Sequence, residues 1–280
     1  METLFDVEND VTSSNSTPGK GTLDGNILAW SVGIDFAIQW VVFAISALLK
    51  TEKFYDLTGS GTFILLAVLS LVLNGEYYVR QCVQTGLVVV WGLRLGIFLF
   101  SRVISAPDRR FDDAKKDPKV YFIYWTMQAV WIFATLVPTL MLNAETKDKS
   151  LGVRDYIGWS IWLIGFLMET ISDIQKTIFK KNPDNAGKFI NTGLWSISRH
   201  PNYFGEIVLW IGLWLSASSV MTDWDYFSVL SPIFVWLLIS KISGIPILER
   251  QGMTKWGEDP DYLIYIKKVP VLIPFIGMKK

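Results

Sequence analysis

From Ile27 onward the chain alternates between long apolar runs and short polar breaks. The runs are Ile27 to Leu49, Thr62 to Leu73, Cys82 to Ile104, Val120 to Leu142, Tyr156 to Ile178, Tyr203 to Met221 and Tyr226 to Leu248. A helix needs ~20 residues to cross the hydrocarbon of a bilayer. Most of these runs reach that length, and the short second one reaches it if its helix starts nearer Phe54. The pattern predicts an all-α polytopic membrane bundle of about seven transmembrane helices. Residues 1–26 are rich in Ser, Thr, Asn, Asp and Gly and lack the basic and apolar regions of a signal peptide. They are expected to form a disordered tail, leaving residues 27–280 as a single integral membrane domain.

Composition agrees with a lipid solvent. The 280 residues are 51% hydrophobic and only 19% charged, with 13 Trp, which is too apolar for an ordinary soluble domain. The formal net charge of +0 argues against a nucleic-acid partner, since polyanion binding draws on a basic excess. One Cys and one His exclude an internal disulfide and leave too few soft ligands for a zinc or haem site. No metal is expected.

The charges that remain are unevenly placed. Arg102, Arg109, Arg110, Lys115, Lys116 and Lys119 follow the third run, Lys176, Lys180, Lys181, Lys188 and Arg199 lie between the fifth and sixth, and Arg250, Lys255, Lys267 and Lys268 follow the last. With an odd number of spans these regions share one face. The positive-inside rule makes that face, and the C-terminus, cytosolic.

The candidate chemistry lies at the entrance of the sixth run, in Ser198-Arg-His-Pro-Asn-Tyr-Phe-Gly-Glu206. Pro201 is a good first-turn residue. The amides of that helix N-terminus, with Arg199 beside them, make an anion site by geometry alone. Asn202, Glu206 and Trp210 recur every four residues and share a stripe, with Tyr203 next to it. Glu206 sits at or just inside the membrane boundary, where an ionisable group is costly. Lys176 and Lys180 stand one turn apart on the preceding helix. No strand-GxGxxG-helix unit accompanies them.

The stretch Gly193–Glu206, with Ser172–Lys188 before it and Ser243–Phe275 after it, resembles the DUF1295 branch of the steroid 5-alpha-reductase-like membrane proteins. It is more distantly similar to sterol C14 reductases and to isoprenylcysteine carboxyl methyltransferases, which share the Arg-His-Pro-x-Tyr core. Lys50–Ser60 and Leu93–Asp113 also look like DUF1295, so the resemblance covers nearly the whole chain after the tail. It implies a membrane-embedded, NADPH-dependent reductase of a carbon-carbon double bond in a steroid, sterol or other lipid enone, whose C-terminal half, about residues 169–270, holds the dinucleotide. The Asn202-Tyr203-Phe204-Gly205-Glu206 run matches the reductases' pattern. Asp173, Lys180, Glu249 and Tyr265 match acidic, basic and tyrosine positions around it. Arg199 and His200 belong to the shared core, Trp195 to the DUF1295-like stretch just before it, and Lys176, Lys180 and Lys188 would serve the 2′-phosphate of NADPH.

The resemblance also implies a substrate that enters laterally from the bilayer, a multi-pass location in the endoplasmic reticulum or a bacterial inner membrane, and no obligate protein partner. Steroid 5-alpha reductases grip the enone carbonyl with an early glutamate and tyrosine, and this chain shows no clear equivalent. Tyr55 and Asp56 are the nearest phenol and acid, and Asp35 is the other intramembrane acid. Each is a candidate to polarise a carbonyl or deliver a proton, or to pair structurally with an arginine such as Arg94. The shared core leaves two alternatives open: an S-adenosylmethionine-dependent methyltransferase, whose ligand's carboxylate also suits a helix N-terminus, and a non-catalytic sterol- or lipid-binding protein.

Overall fold

The computed structural model describes residues 20–105, 108 and 111–278, and these form helices, turns and loops with no strand. In chain order the helices are α1 (Lys20–Leu49), α2 (Tyr55–Asn74), α3 (Val79–Ser105), α4 (Pro118–Ala144), α5 (Val153–Lys181), α6 (Pro201–Ala217), α7 (Leu230–Leu237), α8 (Ile245–Trp256) and α9 (Pro260–Lys268). Their limits follow from local chemistry. Asp117 caps α4 by accepting from the Lys119 amide, with Pro118 in the first turn, and Gly75 ends α2 in a left-handed conformation at φ 76° that costs other residues more.

Among the described residues, six segments are long and apolar enough to cross a membrane: the part of α1 from Asn26, then α2, α3, α4, α5 and the stretch Asp223–Trp256 around α7. The chain is an integral multi-pass membrane protein. Helix α6 has 17 residues and is ~25 Å long at 1.5 Å per residue, short of a full span yet packed along α5.

Three boundaries differ from those expected. Helix α1 already begins at Lys20, inside the stretch expected to be a tail; the rest of that tail, residues 1–19, lies outside the described residues. Helix α6 stops at Ala217 instead of reaching Met221. The last run is broken into a 3-10 segment (Asp223–Val229), α7, a π turn (Leu238–Ile242) and then α8. The break falls at Gly244, where an added Cβ would lie 2.6 Å from the Ile239 carbonyl oxygen, and Pro246 starts the next helix.

Polar ties divide the connections between two ends of the bundle. At one end Lys115 pairs with Glu52 at 2.5 Å, the Tyr121 hydroxyl donates to the Thr51 carbonyl at 2.7 Å and the Arg199 amide donates to the Pro270 carbonyl at 2.9 Å. At the other, Asn74 donates to the Glu145 carbonyl at 3.0 Å, Arg80 pairs with the buried Asp155 at 2.6 Å and Arg154 donates to the Ser218 carbonyl at 3.2 Å. The breaks after α1, α3, α5 and α7 share the lysine-rich end. In a Cys82→Ser background, Lys116→Cys and Lys267→Cys should therefore be labelled from the same side of the membrane and Lys147→Cys from the opposite one. Labelling of the first two from opposite sides would sink this alternation.

The pairing of α5 and α6 places the functional residues. Gly158 and Gly165 on α5 meet Gly212 and Gly205 on α6, each pair two turns apart, so one face of each helix is bare backbone. A Cβ on Gly165 would lie 2.6 Å from the Gly205 carbonyl oxygen, and one on Gly212 would lie 2.6 Å from the Trp162 amide. Beside this seam the core is aromatic, with Phe63 and Trp91 ring centroids 5.1 Å apart and Trp91 and Trp210 4.9 Å apart.

Candidate functional site

The close α5–α6 contact sets a polar cluster inside the bundle. Arg94, from α3, points both arms of its guanidinium at α5, with Nη1 2.7 Å from Glu169 and Nη2 2.6 Å from Asp173. The Trp91 indole donates to the other Glu169 oxygen at 3.2 Å. From α6, the Asn202 amide donates to Asp173 at 3.2 Å. Glu206 is one turn further along α6 and repels Glu169 electrostatically. Two carboxylates thus pair with one guanidinium while a third lies within its field, a buried negative excess that demands a proton or a cationic partner.

A cleft opens above this cluster at the lysine-rich end. It encloses about 250 Å³ between the end of α5, the 182–200 loop and α8–α9. Its walls are aromatic and basic: Trp195, Phe189, Trp256, Tyr262 and Tyr265 alternate with Lys176, Lys180, Lys188 and Lys255. The Lys176 ammonium lies 4.4 Å from the centre of the Trp195 ring. None of the four lysines makes an ion pair with a described residue.

The walls are held from behind. The Trp195 indole donates to the Ser172 carbonyl at 3.0 Å and the Tyr265 hydroxyl donates to the Trp195 carbonyl at 2.8 Å. Burial raises the Tyr265 phenol above its ordinary range, so it remains a donor. The chain after α9 returns along the motif, where the Ser198 hydroxyl donates to the Leu272 carbonyl at 2.7 Å. Arg199 and His200 converge on Glu249 of α8, the first at 2.5 Å through Nη1 and the second at 2.7 Å through Nε2. Tyr203 stacks on the imidazole. Burial pushes His200 below its ordinary value, and the Glu249 contact opposes this only in part, so the ring is neutral at pH 7.

Most residues singled out in the sequence are therefore neighbours. Asp173, Asn202 and Glu206 belong to the inner cluster, and Lys176, Lys180, Lys188, Trp195, Arg199, His200, Glu249 and Tyr265 line the cleft. The expected anion clamp at Arg199 differs, because one arm of its guanidinium is taken by Glu249.

Tyr55, Asp56 and Asp35 are not brought into this group. The Tyr55 hydroxyl donates to the Tyr124 carbonyl at 3.0 Å and its ring packs on Phe111 and Trp125. Asp56 faces Arg102 at 3.7 Å. Asp35 is fully buried beside Gln39, whose amide donates to Thr62 and whose oxygen accepts from Gln128. Arg94 pairs with neither Asp35 nor Asp56; its partners are two acids of α5, Glu169 and Asp173. Sequence reasoning passed over Glu169 and Trp91. The signal for Glu169 was an acid inside a span, one turn before Asp173 on the same face.

A family model described as "Protein of unknown function (DUF1295)" matches residues 42–269. Among curated proteins, the chain is 26% identical over 177 residues to an uncharacterised protein of Schizosaccharomyces pombe, covering 55% of this chain and 48% of that one. It is 34% identical over 126 residues to a "Probable O-methyltransferase" of Ustilaginoidea virens, covering 42% of each. It is 25% identical over 184 residues to the Delta(14)-sterol reductase of Arabidopsis thaliana, covering 61% of this chain and 42% of that protein. The chain thus spans less than half the length of each relative. No solved structure matches it.

Proposed function

Because this chain belongs to the DUF1295 family, we propose that it is a membrane-embedded, NADPH-dependent reductase of a carbon-carbon double bond in a sterol, steroid or other lipid enone. The observation that carries this reading is the cleft. Four lysines without a carboxylate partner among the described residues stand among aromatic rings, which suits a ligand that brings several phosphates and a flat base. At about 250 Å³ the enclosed part falls just under the ~300–1,000 Å³ of typical ligand pockets, so it takes one nucleotide half of such a ligand and leaves the other half outside. Lys176, Lys180, Lys188 and Lys255 would hold the phosphates, and Trp195 and Phe189 would face the base. When bound, NADPH supplies a hydride.

The reduction also needs a proton for the second carbon. Glu206, for which no hydrogen bond to a described residue is found, is the acid of the inner cluster best placed to supply it. The likeness to a sterol reductase supports the lipid class of substrate. The basic end of the bundle faces the cytosol in this reading.

One observation favours a second reading. The buried excess of carboxylate around Arg94 suits a sulfonium as well as an oxidised nicotinamide, and one relative is named as an O-methyltransferase. S-adenosylmethionine carries a single carboxylate, however, and has no use for four lysines. Lysine replacement tests the choice. Calorimetry at moderate salt should show Lys180→Ala and Lys188→Ala weakening NADPH about tenfold each, for the loss of ~1.5 kcal/mol of charged hydrogen bonding, with less effect on NADH. Equal losses for both nucleotides, or none, would argue against a 2′-phosphate site.

A further inference from the structure

Two carboxylates lock the side chains of the His200-Pro201-Asn202 turn. Glu249 is gripped by Arg199 Nη1 at 2.5 Å, an ion pair that keeps it ionised and acceptor-only. Its second oxygen, 2.7 Å from His200 Nε2, must then receive a proton from that nitrogen. The Nδ1 of a neutral ring is left as an acceptor. Asp173, paired with Arg94 at 2.6 Å, acts likewise on its neighbour. It accepts from Asn202 Nδ2 at 3.2 Å, which fixes the amide and turns Oδ1 away. Both His200 Nδ1 and Asn202 Oδ1 are buried without a hydrogen-bond partner among the described residues, and His200 lines the cleft. Native proteins seldom leave such acceptors unfilled away from a binding site.

We propose that this turn reads hydrogen-bond donors, not anions: His200 meets the ligand as a neutral Nε2–H imidazole, with its Nδ1 and the Asn202 Oδ1 accepting from N–H or O–H groups of the ligand, and Glu249 is the positioning residue that sets the tautomer. Anions are left to the lysines and to Arg199 Nε, a buried donor without a hydrogen-bond partner among the described residues. The ligand class is one that joins phosphates to hydroxyl or amide donors, as a ribose and a carboxamide do. Assigning those donors to NADPH rests on the function proposed above; the tautomer does not.

His200 is the single histidine of the chain, so protein made with ¹⁵N-histidine shows one imidazole by NMR in mild detergent. At neutral pH the free protein should show a protonated Nε2 and a bare Nδ1. NADPH should shift the Nδ1 resonance towards the hydrogen-bonded position. Glu249→Gln should mix the tautomers and weaken NADPH about tenfold, whereas His200→Asn, which keeps an acceptor near the Nδ1 position, should retain more affinity than His200→Leu. An imidazolium, or a ring protonated on Nδ1, in the free protein overturns the proposal whatever the variants do. Calorimetric NADPH binding that leaves the Nδ1 resonance unmoved overturns its ligand half. Failure of the parent protein to bind NADPH sinks the reductase reading instead, and the spectrum of the free protein still decides the tautomer.

Discussion

Arg94→Leu is expected to lower stability in detergent by ~3–5 kcal/mol, the cost of stranding buried charges by removing one partner. The guanidinium now faces Glu169 at 2.7 Å and Asp173 at 2.6 Å, and Glu206 adds a third carboxylate to the same group. Without the arginine, the acids have to take up protons or draw water into the bundle. Helices α3 and α5 lose this ionic tie in either case, while the Trp91–Glu169 hydrogen bond at 3.2 Å and the Arg80–Asp155 pair at 2.6 Å remain. Arg94→Lys restores a charge but not a fork that reaches two acids at once, so it should recover only part of the loss. Chemical denaturation of the three proteins measures this directly. An Arg94→Leu protein as stable as the parent would mean that the cluster is not a charged network at all.

Gly205→Leu is expected to have an effect of similar size by a different route. Even a lone Cβ there would lie 2.6 Å from the Glu169 amide and 2.6 Å from the Gly165 carbonyl oxygen, and neither is a flexible atom. Overpacking by a small side chain typically costs ~1–3 kcal/mol, and leucine adds more carbons to the same seam. Separating α5 from α6 also moves Asn202 away from Asp173, so ligand affinity should fall with stability. Gly86→Ala on α3 is the control, because nothing lies within 4 Å of its added Cβ and a helical Gly→Ala change is neutral or favourable by ~0.5–1 kcal/mol. If both substitutions melt alike, the α5–α6 seam is not the constraint described here.

The membrane bundle was legible because lipid imposes length and apolarity on every span. The apolar runs ending at Leu49, Ile104 and Leu142 stop close to the ends of α1, α3 and α4. The last run misled because a π turn and a kink at Gly244 are as apolar as a straight helix. Periodicity has no way of registering a change of axis.

Within the candidate site, the motif residues from Trp195 to Glu206 are adjacent in sequence, so their grouping needed little folding. The cluster around Arg94 needed three helices, and its acids were divided between α5 and α6. A single sequence reveals that Asp35, Arg94, Glu169 and Glu206 are costly in a membrane, but the partner of each is decided by helix packing. Asp35 is buried with neither carboxylate oxygen hydrogen-bonded to a described residue, and Arg94 went to Glu169 and Asp173. The role of Glu249 is a third such case. It lies far along the chain from His200, and α8 brings it to 2.7 Å from the ring.

The central claim, that the cleft at the lysine-rich end holds a nicotinamide nucleotide, is tested most directly by titrating NADPH and S-adenosylmethionine separately into the purified protein in mild detergent and following the heat of binding. The account predicts saturable binding of NADPH at one site per chain, with S-adenosylmethionine much weaker. Saturable S-adenosylmethionine binding with no measurable affinity for either nicotinamide cofactor would contradict it and put the methyltransferase reading in its place.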